Sequence, residues 1–122
     1  MKAVLLTSLV ILASSTPSSA KCRFNIVHFF YGSDLAQTAE ADSGRECSTT
    51  FDNSRGAGMT SIQVVRQPKH GVATWNGSVA YAKVTYKSAP GYTGPDDFVY
   101  AITGASAKRQ GTANIAVSLV VD

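Results

Sequence analysis

The chain has 122 residues, carries a formal net charge of +3 and is 44% hydrophobic. This length fits one ordinary domain with a single core. The charge is small and the basic residues are scattered along the chain, so the sequence offers no basic face of the kind that binds nucleic acid.

Residues 1–20 have the pattern of a secretory signal peptide. Lys2 supplies a positive start, residues 3–13 form an apolar run too short to cross a bilayer, and small residues end the segment. No later apolar run is long enough for a membrane span. We therefore expect export to the periplasm or the extracellular space, and a mature chain of residues 21–122 that forms one domain.

The sequence has two cysteines, Cys22 and Cys47, and both follow the predicted signal peptide. An even cysteine count in an exported chain favours a disulfide. A reactive thiol pair would need a C-x-x-C motif or an activating neighbour, and the sequence has neither. We predict a Cys22–Cys47 disulfide within an N-terminal strand and loop extension, residues 21–60, which precedes a sandwich core, residues 61–122.

Residues 23–31 are aromatic and β-branched, which predicts a strand. Both of its faces are apolar: Phe24, Ile26, His28 and Phe30 share one, and Val27, Phe29 and Tyr31 share the other. A sandwich covers only one face of an edge strand, so we expect an uncovered apolar edge that contacts another chain. We place this candidate interaction surface at Phe29 and Tyr31.

Residues 32–44 are rich in Ala, Ser, Asp and Glu, and their apolar pattern does not distinguish a short helix from an irregular loop. We interpret the carboxylates in and beside this segment as solvated, since the sequence combines no nucleophile, base and orienting group. This 32–44 loop would hold the site if the protein were a small secreted enzyme or enzyme inhibitor, which is the alternative hypothesis. Residues 53–60 are predicted to be a second loop.

From Ser61 onward, apolar and polar residues alternate between turn signals, which predicts short strands of an antiparallel sandwich. Asn76-Gly77 predicts a type I′ hairpin turn, because both central residues of that turn need positive φ. The predicted strands lie at residues 62–65, 72–76, 79–87, 98–102 and 113–121.

Three stretches of the second half carry a family resemblance. They read V-V-R-Q-P-K-H-G-V-A at residues 64–73, Y-K-S-A-P-G-Y-T-G-P-D-D-F-V-Y-A-I at residues 86–102, and V-S-L-V-V at residues 117–121. In this order they resemble the bacterial immunoglobulin-like, cadherin-like repeat. The resemblance implies an all-β, Ig-like antiparallel Greek-key β-sandwich. Such repeats usually stand in tandem within large surface adhesins, whereas this chain has one copy, so a small exported single-domain protein is the closer comparison.

Asp96 and Asp97 are the strongest candidates for a calcium site, and His28 and His70 for another metal. Two adjacent carboxylates supply too few oxygen ligands for Ca²⁺, so we interpret them as a turn in which one carboxylate accepts backbone N–H bonds. The two histidines lack the spacing of metal ligands. We therefore expect neither a metal nor a cofactor.

The leading hypothesis is an exported, non-enzymatic Ig-like interaction or structural module of the cell envelope. Its partner would be an envelope protein or a glycan. Exposed aromatic side chains often mark such contacts, although most aromatics in a sandwich fill its core. The candidates are Phe29, Phe30, Tyr31, Trp75, Tyr81 and Tyr92.

Overall fold

The structure is a computed structural model that describes residues 20–52, 58–78 and 81–122. The predicted signal peptide, apart from its last residue, and most of the predicted second loop lie outside the described residues. Within the described parts, all regular elements are strands. They are β1 (Cys22–Phe24), β2 (Leu35–Ala41), β3 (Glu46–Asp52), β4 (Met59–Arg66), β5 (Gly71–Gly77), β6 (Tyr81–Ser88), β7 (Gly94–Ala105) and β8 (Gln110–Val121).

The described strands form two sheets, one in the order β1-β2-β8-β7-β4 and one in the order β3-β6-β5. Strand β6 returns to lie beside β3, and β7 returns to lie beside β4, which are Greek-key connections. The predicted β-sandwich is confirmed. Its pairs are antiparallel, as expected, except for β2 and β8, which run parallel. A parallel pair needs a long crossover, and the chain from β3 to β7 supplies it.

The core lies between the two sheets and is built from alternate residues of the long strands. The predicted alternation is confirmed in β6, β7 and β8, whose inward side chains are buried and whose intervening side chains face outward. Each fully buried aliphatic or aromatic side chain stabilises the fold by about 2 kcal/mol. The largest are Ile62, Val84, Tyr86, Phe98, Tyr100, Ile102, Ile115, Val117 and Val121.

The prediction of a short helix or an irregular loop at residues 32–44 is wrong, because β2 occupies Leu35–Ala41. Its inward residues are Gln37, Ala39 and Ala41, all buried. Two alanines and a polar residue at inward positions give a weak apolar signal, which hides the alternation. Pairing with β8 along the whole length of β2 stabilises a strand that the sequence pattern does not reveal.

The predicted strand at residues 23–31 is confirmed only at its start, since β1 ends at Phe24. The backbone N–H of Asn25 makes one more bond to β2, to the carbonyl of Thr38 at 2.9 Å. Next, the side-chain amide of Gln37 donates to the carbonyl of Asn25 at 2.8 Å. A side chain thus binds where the backbone ladder would continue, and residues 25–30 leave the sheet.

The predicted disulfide is confirmed: Cys22 in β1 is bonded to Cys47 in β3, with their Cα atoms 5.3 Å apart. Because β1 and β3 belong to different sheets, this bond ties the sheets together. Closing a loop of 25 residues should stabilise the fold by about 3 kcal/mol. Strands β2 and β3, which lie within the predicted extension 21–60, are strands of the two sheets of the sandwich.

A hairpin joins β5 to β6, as the Asn76-Gly77 dipeptide predicts, but the turn lies further on. Gly77 still pairs with Ala82, and Asn76 does not have the positive φ that a type I′ turn requires. Gly77 is needed for another reason. Its φ is 98°, and a Cβ there would clash with the carbonyl oxygen of Tyr81.

Candidate functional site

Asp96, at the start of β7, joins three parts of the chain at a point we call the Asp96 junction. Asp96 is 7% exposed. It accepts hydrogen bonds from the backbone N–H groups of Lys69 at 3.1 Å, His70 at 3.2 Å and Asp97 at 2.9 Å. It also accepts one from the hydroxyl of Tyr86 in β6, at 2.7 Å. The prediction that one of the two carboxylates accepts backbone N–H bonds is confirmed.

The two adjacent aspartates do different things. Asp97 makes an ion pair with Arg66 at 3.3 Å, and both of these side chains are exposed. Asp96 is instead held by its four donors, and burial together with the bond to Asp96 raises the pKa of Tyr86. Within residues 20–52, 58–78 and 81–122, no group of three or more His, Cys, Asp or Glu side chains could hold a metal ion.

The two histidines lie in different settings. The ring of His70 stacks on the ring of Tyr92, with centroids 4.0 Å apart and an interplanar angle of 6°. The hydroxyl of Tyr92 in turn donates to the carbonyl of Pro95. His28 is exposed in the segment between β1 and β2. His70 and Tyr92 thus stabilise the turn beside the Asp96 junction.

A second polar group lies inside the sandwich. The hydroxyl of Tyr100 donates to the side-chain oxygen of Gln37 at 2.8 Å, and burial raises the pKa of Tyr100. Since the Gln37 amide also donates to the carbonyl of Asn25, this contact connects the segment after β1 with the middle of the core. Both polar side chains are therefore satisfied despite their burial.

The segment after β1 has an inner and an outer side. Phe29 packs on the core with its ring edge-on to Tyr31 and Phe51, at centroid distances of 5.6 and 6.4 Å. Tyr31 is only 5% exposed, and burial raises its pKa. The interaction surface predicted at Phe29 and Tyr31 therefore needs correction, because these two side chains belong to the inner side.

The outer side of the same segment presents Ile26, which is 87% exposed, and Phe30, which is 57% exposed. The guanidinium of Arg109 lies over the Phe30 ring, with its carbon 5.4 Å from the centroid, a cation–π arrangement. Phe30 and its neighbours line a cleft of about 500 Å³ together with Ser106 and Arg109. We call Ile26, His28, Phe30, Lys108 and Arg109 the N-terminal patch.

The turn between β7 and β8 positions the cationic side of the N-terminal patch. The backbone N–H of Ser106 donates to the carbonyl of Arg109 at 2.6 Å, and the N–H of Arg109 donates to the Ser106 hydroxyl at 3.2 Å. These bonds fix the backbone of Arg109 beside Phe30. Exposed apolar groups rimmed by polar ones commonly mark contact sites. Sequence analysis missed Arg109, which no local motif links to residue 30.

Gln67 covers the open edge of β5 at Ala73. Its amide donates to the carbonyl of Ala73 at 2.8 Å, and its side-chain oxygen accepts the N–H of Ala73 at 2.9 Å. The side chain therefore pairs with the edge as a neighbouring strand would. Strand edges left open pair readily with other chains, so Gln67 in the R-Q-P-K-H-G turn protects this one.

The chain matches the bacterial Ig domain family over residues 32–118. The chain belongs to this family. The match runs from just before β2 into β8, so it includes the Asp96 junction and every described strand except β1 and the end of β8. Ile26, His28 and Phe30 lie before it. The family match thus covers most of the sandwich, and the exposed side chains of the N-terminal patch that precede β2 lie outside the matched range.

Three solved structures that match part of this chain differ strongly from it in sequence. An endo-fucoidan hydrolase of glycoside hydrolase family 107 is 14% identical, with a TM-score of 0.45 over 73% of this chain. A cysteine protease inhibitor from Entamoeba histolytica is 9% identical, with a TM-score of 0.39 over 75% of this chain and 98% of its own. A sialyltransferase from Photobacterium damsela is 12% identical, with a TM-score of 0.39 over 73% of this chain.

This chain spans 13% of the length of the fucoidan hydrolase and 18% of that of the sialyltransferase. A comparison with curated proteins gives no match. In the part of the chain that the structure describes, no helix has the length and apolar character that a membrane crossing needs.

Proposed function

We propose that this protein is an exported, non-enzymatic Ig-like interaction module of the bacterial cell envelope, acting in the periplasm or outside the cell. Membership of the bacterial Ig domain family supports an interaction or structural role. The signal-peptide pattern of residues 1–20 and the Cys22–Cys47 disulfide support an oxidising compartment. The observation that carries the proposal is the N-terminal patch, where Ile26 and Phe30 are exposed beside Arg109.

The chemistry of the patch indicates what kind of partner it binds. Ile26 and Phe30 offer apolar surface, and Lys108 and Arg109 put positive charge next to it. A complementary surface carries an apolar side chain flanked by carboxylates, which protein surfaces readily provide. We therefore place an envelope protein with such a segment at the N-terminal patch.

Side-chain docking at the patch fits the fold better than strand addition at the edges formed by β4 and β5. Gln67 occupies the edge of β5 at Ala73, as described above. The pairing of β4 with β7 shifts register between Met59 and Ser61 and again between Val64 and Arg66. Such irregularities make an edge strand a poor template for another chain. The patch is thus the better contact site.

The alternative, a small secreted enzyme or inhibitor with its site at residues 32–44, finds less support. Strand β2 fills that region, and its neighbouring carboxylates make structural contacts. Asp34 accepts a hydrogen bond from the Asn114 amide at 3.0 Å, and Asp42 accepts one from the backbone N–H of Lys21 at 2.9 Å. These carboxylates hold the chain together, so we favour the interaction module.

Site-specific cross-linking tests the proposal in the native bacterium. A photo-reactive amino acid replaces Ile26 in one variant and, as matched controls, Val65 or Val72 in two others, both 59% exposed on β4 and β5. We expect a discrete protein adduct at position 26 and no adduct at the controls. We also expect the exported product to begin near Lys21. Equal adducts at all three positions, or none at position 26, would contradict the proposed contact.

A further inference from the structure

Lys21, the residue that follows the predicted signal peptide, is bound to Asp42 through its backbone. Its N–H donates to a carboxylate oxygen of Asp42 at 2.9 Å, and its carbonyl accepts the backbone N–H of Asp42 at 3.0 Å. These bonds continue the pairing of β1 with β2 one residue beyond Cys22 and Ala41. The nitrogen at which the mature chain is expected to begin therefore lies against a carboxylate.

The Asp42 carboxylate belongs to neither of the ion pairs recorded among the described residues. The side-chain ammonium of Lys21 binds Asp122 instead, at 2.8 Å, and its pKa is raised chiefly by the hydrogen bond to Asp122 and least by Asp42. Arg45 contacts Asp42 through its backbone, whose N–H donates to the Asp42 carbonyl at 3.3 Å. Other charged side chains at this end of the sandwich also make no recorded ion pair with Asp42, and these are Arg23, Glu40 and Glu46.

Removal of the signal peptide changes the charge of the group that faces Asp42. Ala20 and Lys21 are both exposed, so a peptidase can reach the bond between them. Hydrolysis adds the oxygen of one water to the Ala20 carbonyl carbon, which becomes a carboxylate, and both water protons end on the Lys21 nitrogen, which becomes an ammonium. An ordinary α-amino group has a pKa of about 7.7–8.0, so it is mostly positive at neutral pH. The neutral N–H donor thus becomes a cation at the same nitrogen.

We propose that Asp42 is the binding site for the terminal ammonium of the mature chain, so that cleavage before Lys21 adds an ion pair that fastens β1 to β2. A hydrogen bond between two charged groups is stronger than one from a neutral N–H. Because β1 leads directly into the segment of the N-terminal patch, this ion pair also fixes the start of that segment. The inference rests on the proposed function in one respect, since it needs an exported chain that is cleaved at this bond.

The arrangement is specific for cleavage between Ala20 and Lys21. If Ala20 were retained, the Lys21 nitrogen would stay a neutral amide, and the ammonium would lie about 3.4 Å further along the chain. If Lys21 were lost, the nitrogen that faces Asp42 would be lost with it. Of these three chain starts, only the one at Lys21 places an ammonium at the position that the backbone N–H occupies beside Asp42.

The pKa of the α-amino group tests the inference in the disulfide-bonded protein purified after export. It is measured from the pH dependence of the NMR shift of the Lys21 Cα atom, after the first residue has been identified by N-terminal sequencing. A carboxylate partner favours the charged amine and raises its pKa. Since the pair is exposed, we expect Asp42→Asn to lower this pKa by only about half a unit. High salt should lower the wild-type value towards that of the variant, because salt screens exposed charges.

Asp34→Asn is the matched control, because it removes the same charge just before β2, whereas Asp42 lies just after that strand. We expect this variant to leave the α-amino pKa unchanged. A second control retains Ala20 behind a foreign signal peptide, and its α-amino pKa should respond to Asp42→Asn less than that of the chain starting at Lys21.

Three results would overturn the inference and leave export standing. They are a pKa that Asp42→Asn and high salt do not lower, an equal decrease in the Asp34→Asn control, and an exported product that begins at a residue other than Lys21. The absence of any cleaved, exported product would overturn both the inference and the export that the proposed function requires.

Discussion

The Asp96 junction and the N-terminal patch show opposite solutions for side chains that do not suit their surroundings. At the junction a carboxylate is buried, and four donors from three parts of the chain satisfy it. At the patch, apolar side chains remain in solvent, and a cation lies over Phe30. The first arrangement is complete within the chain. The second leaves Ile26 and Phe30 exposed, and this is the surface that the proposed partner would cover.

This contrast separates the residues that make the fold from those for which we propose a contact role. Asp96, Lys69, His70 and Tyr86 come from the stretches that resemble the bacterial immunoglobulin-like repeat, and they hold the turn before β5 against β6 and β7. Ile26 and Phe30 lie before the residues that the family matches. Substitutions in the two regions should therefore act on different measurements, stability in one and binding in the other.

The largest expected effect is that of Asp96→Ala. Removing the carboxylate leaves the buried Tyr86 hydroxyl and three backbone N–H groups without their acceptor, and each unsatisfied buried group costs about 1–3 kcal/mol. We expect a loss of about 4 kcal/mol in the free energy of unfolding, measured by urea titration.

Asp97→Ala is the matched control for that measurement. It removes the neighbouring carboxylate but only an exposed ion pair with Arg66, and such pairs contribute about 0–1 kcal/mol. A loss of the same size in both variants would show that the Asp96 junction is not the special element of this turn.

The disulfide is expected to have the next largest effect, and it connects the two regions. Cys22→Ser combined with Cys47→Ser should lower the free energy of unfolding by about 3 kcal/mol, because the unfolded chain is no longer restrained. Hydrogen exchange should rise first in residues 21–30, while amides around Asp96 stay protected up to global unfolding. Uniform exchange across both regions would show that the disulfide does not act locally on the start of the chain.

Most of the sandwich could be predicted because its strands combine strict alternation with strong turn signals. Tyr86, Phe98, Tyr100 and the inward residues of β8 lie where the pattern places them. The disulfide followed from the cysteine count and the expected compartment. The carboxylate of the Asp96 junction could be recognised as a turn cap, but its bonds to Lys69 and Tyr86 depend on which strands pair, which one sequence does not show.

The start of the chain was harder to predict for a physical reason. Apolar side chains in residues 23–31 alternate between an inner and an outer side, as the sequence pattern indicates. The pairing with β2 nevertheless ends after Asn25, because the Gln37 amide binds the Asn25 carbonyl. Which side faces the core depends on two residues far away in the sequence, Phe51 and Tyr100. Phe29 packs directly on Phe51, and Phe51 in turn packs on Tyr100. The apolar pattern therefore identified the segment but not its exposed side.

The most direct measurement compares Phe29→Ser with Phe30→Ser, two neighbouring residues on opposite sides of one segment. Phe29 packs on Tyr31 and Phe51, so its loss should cost about 2 kcal/mol of unfolding free energy, whereas the exposed Phe30 should cost less than about 0.5 kcal/mol. Cross-linking from position 26 should survive Phe29→Ser under conditions where it stays folded, and should fall sharply with Phe30→Ser. Equal stability losses, or undiminished cross-linking in Phe30→Ser, would contradict the account.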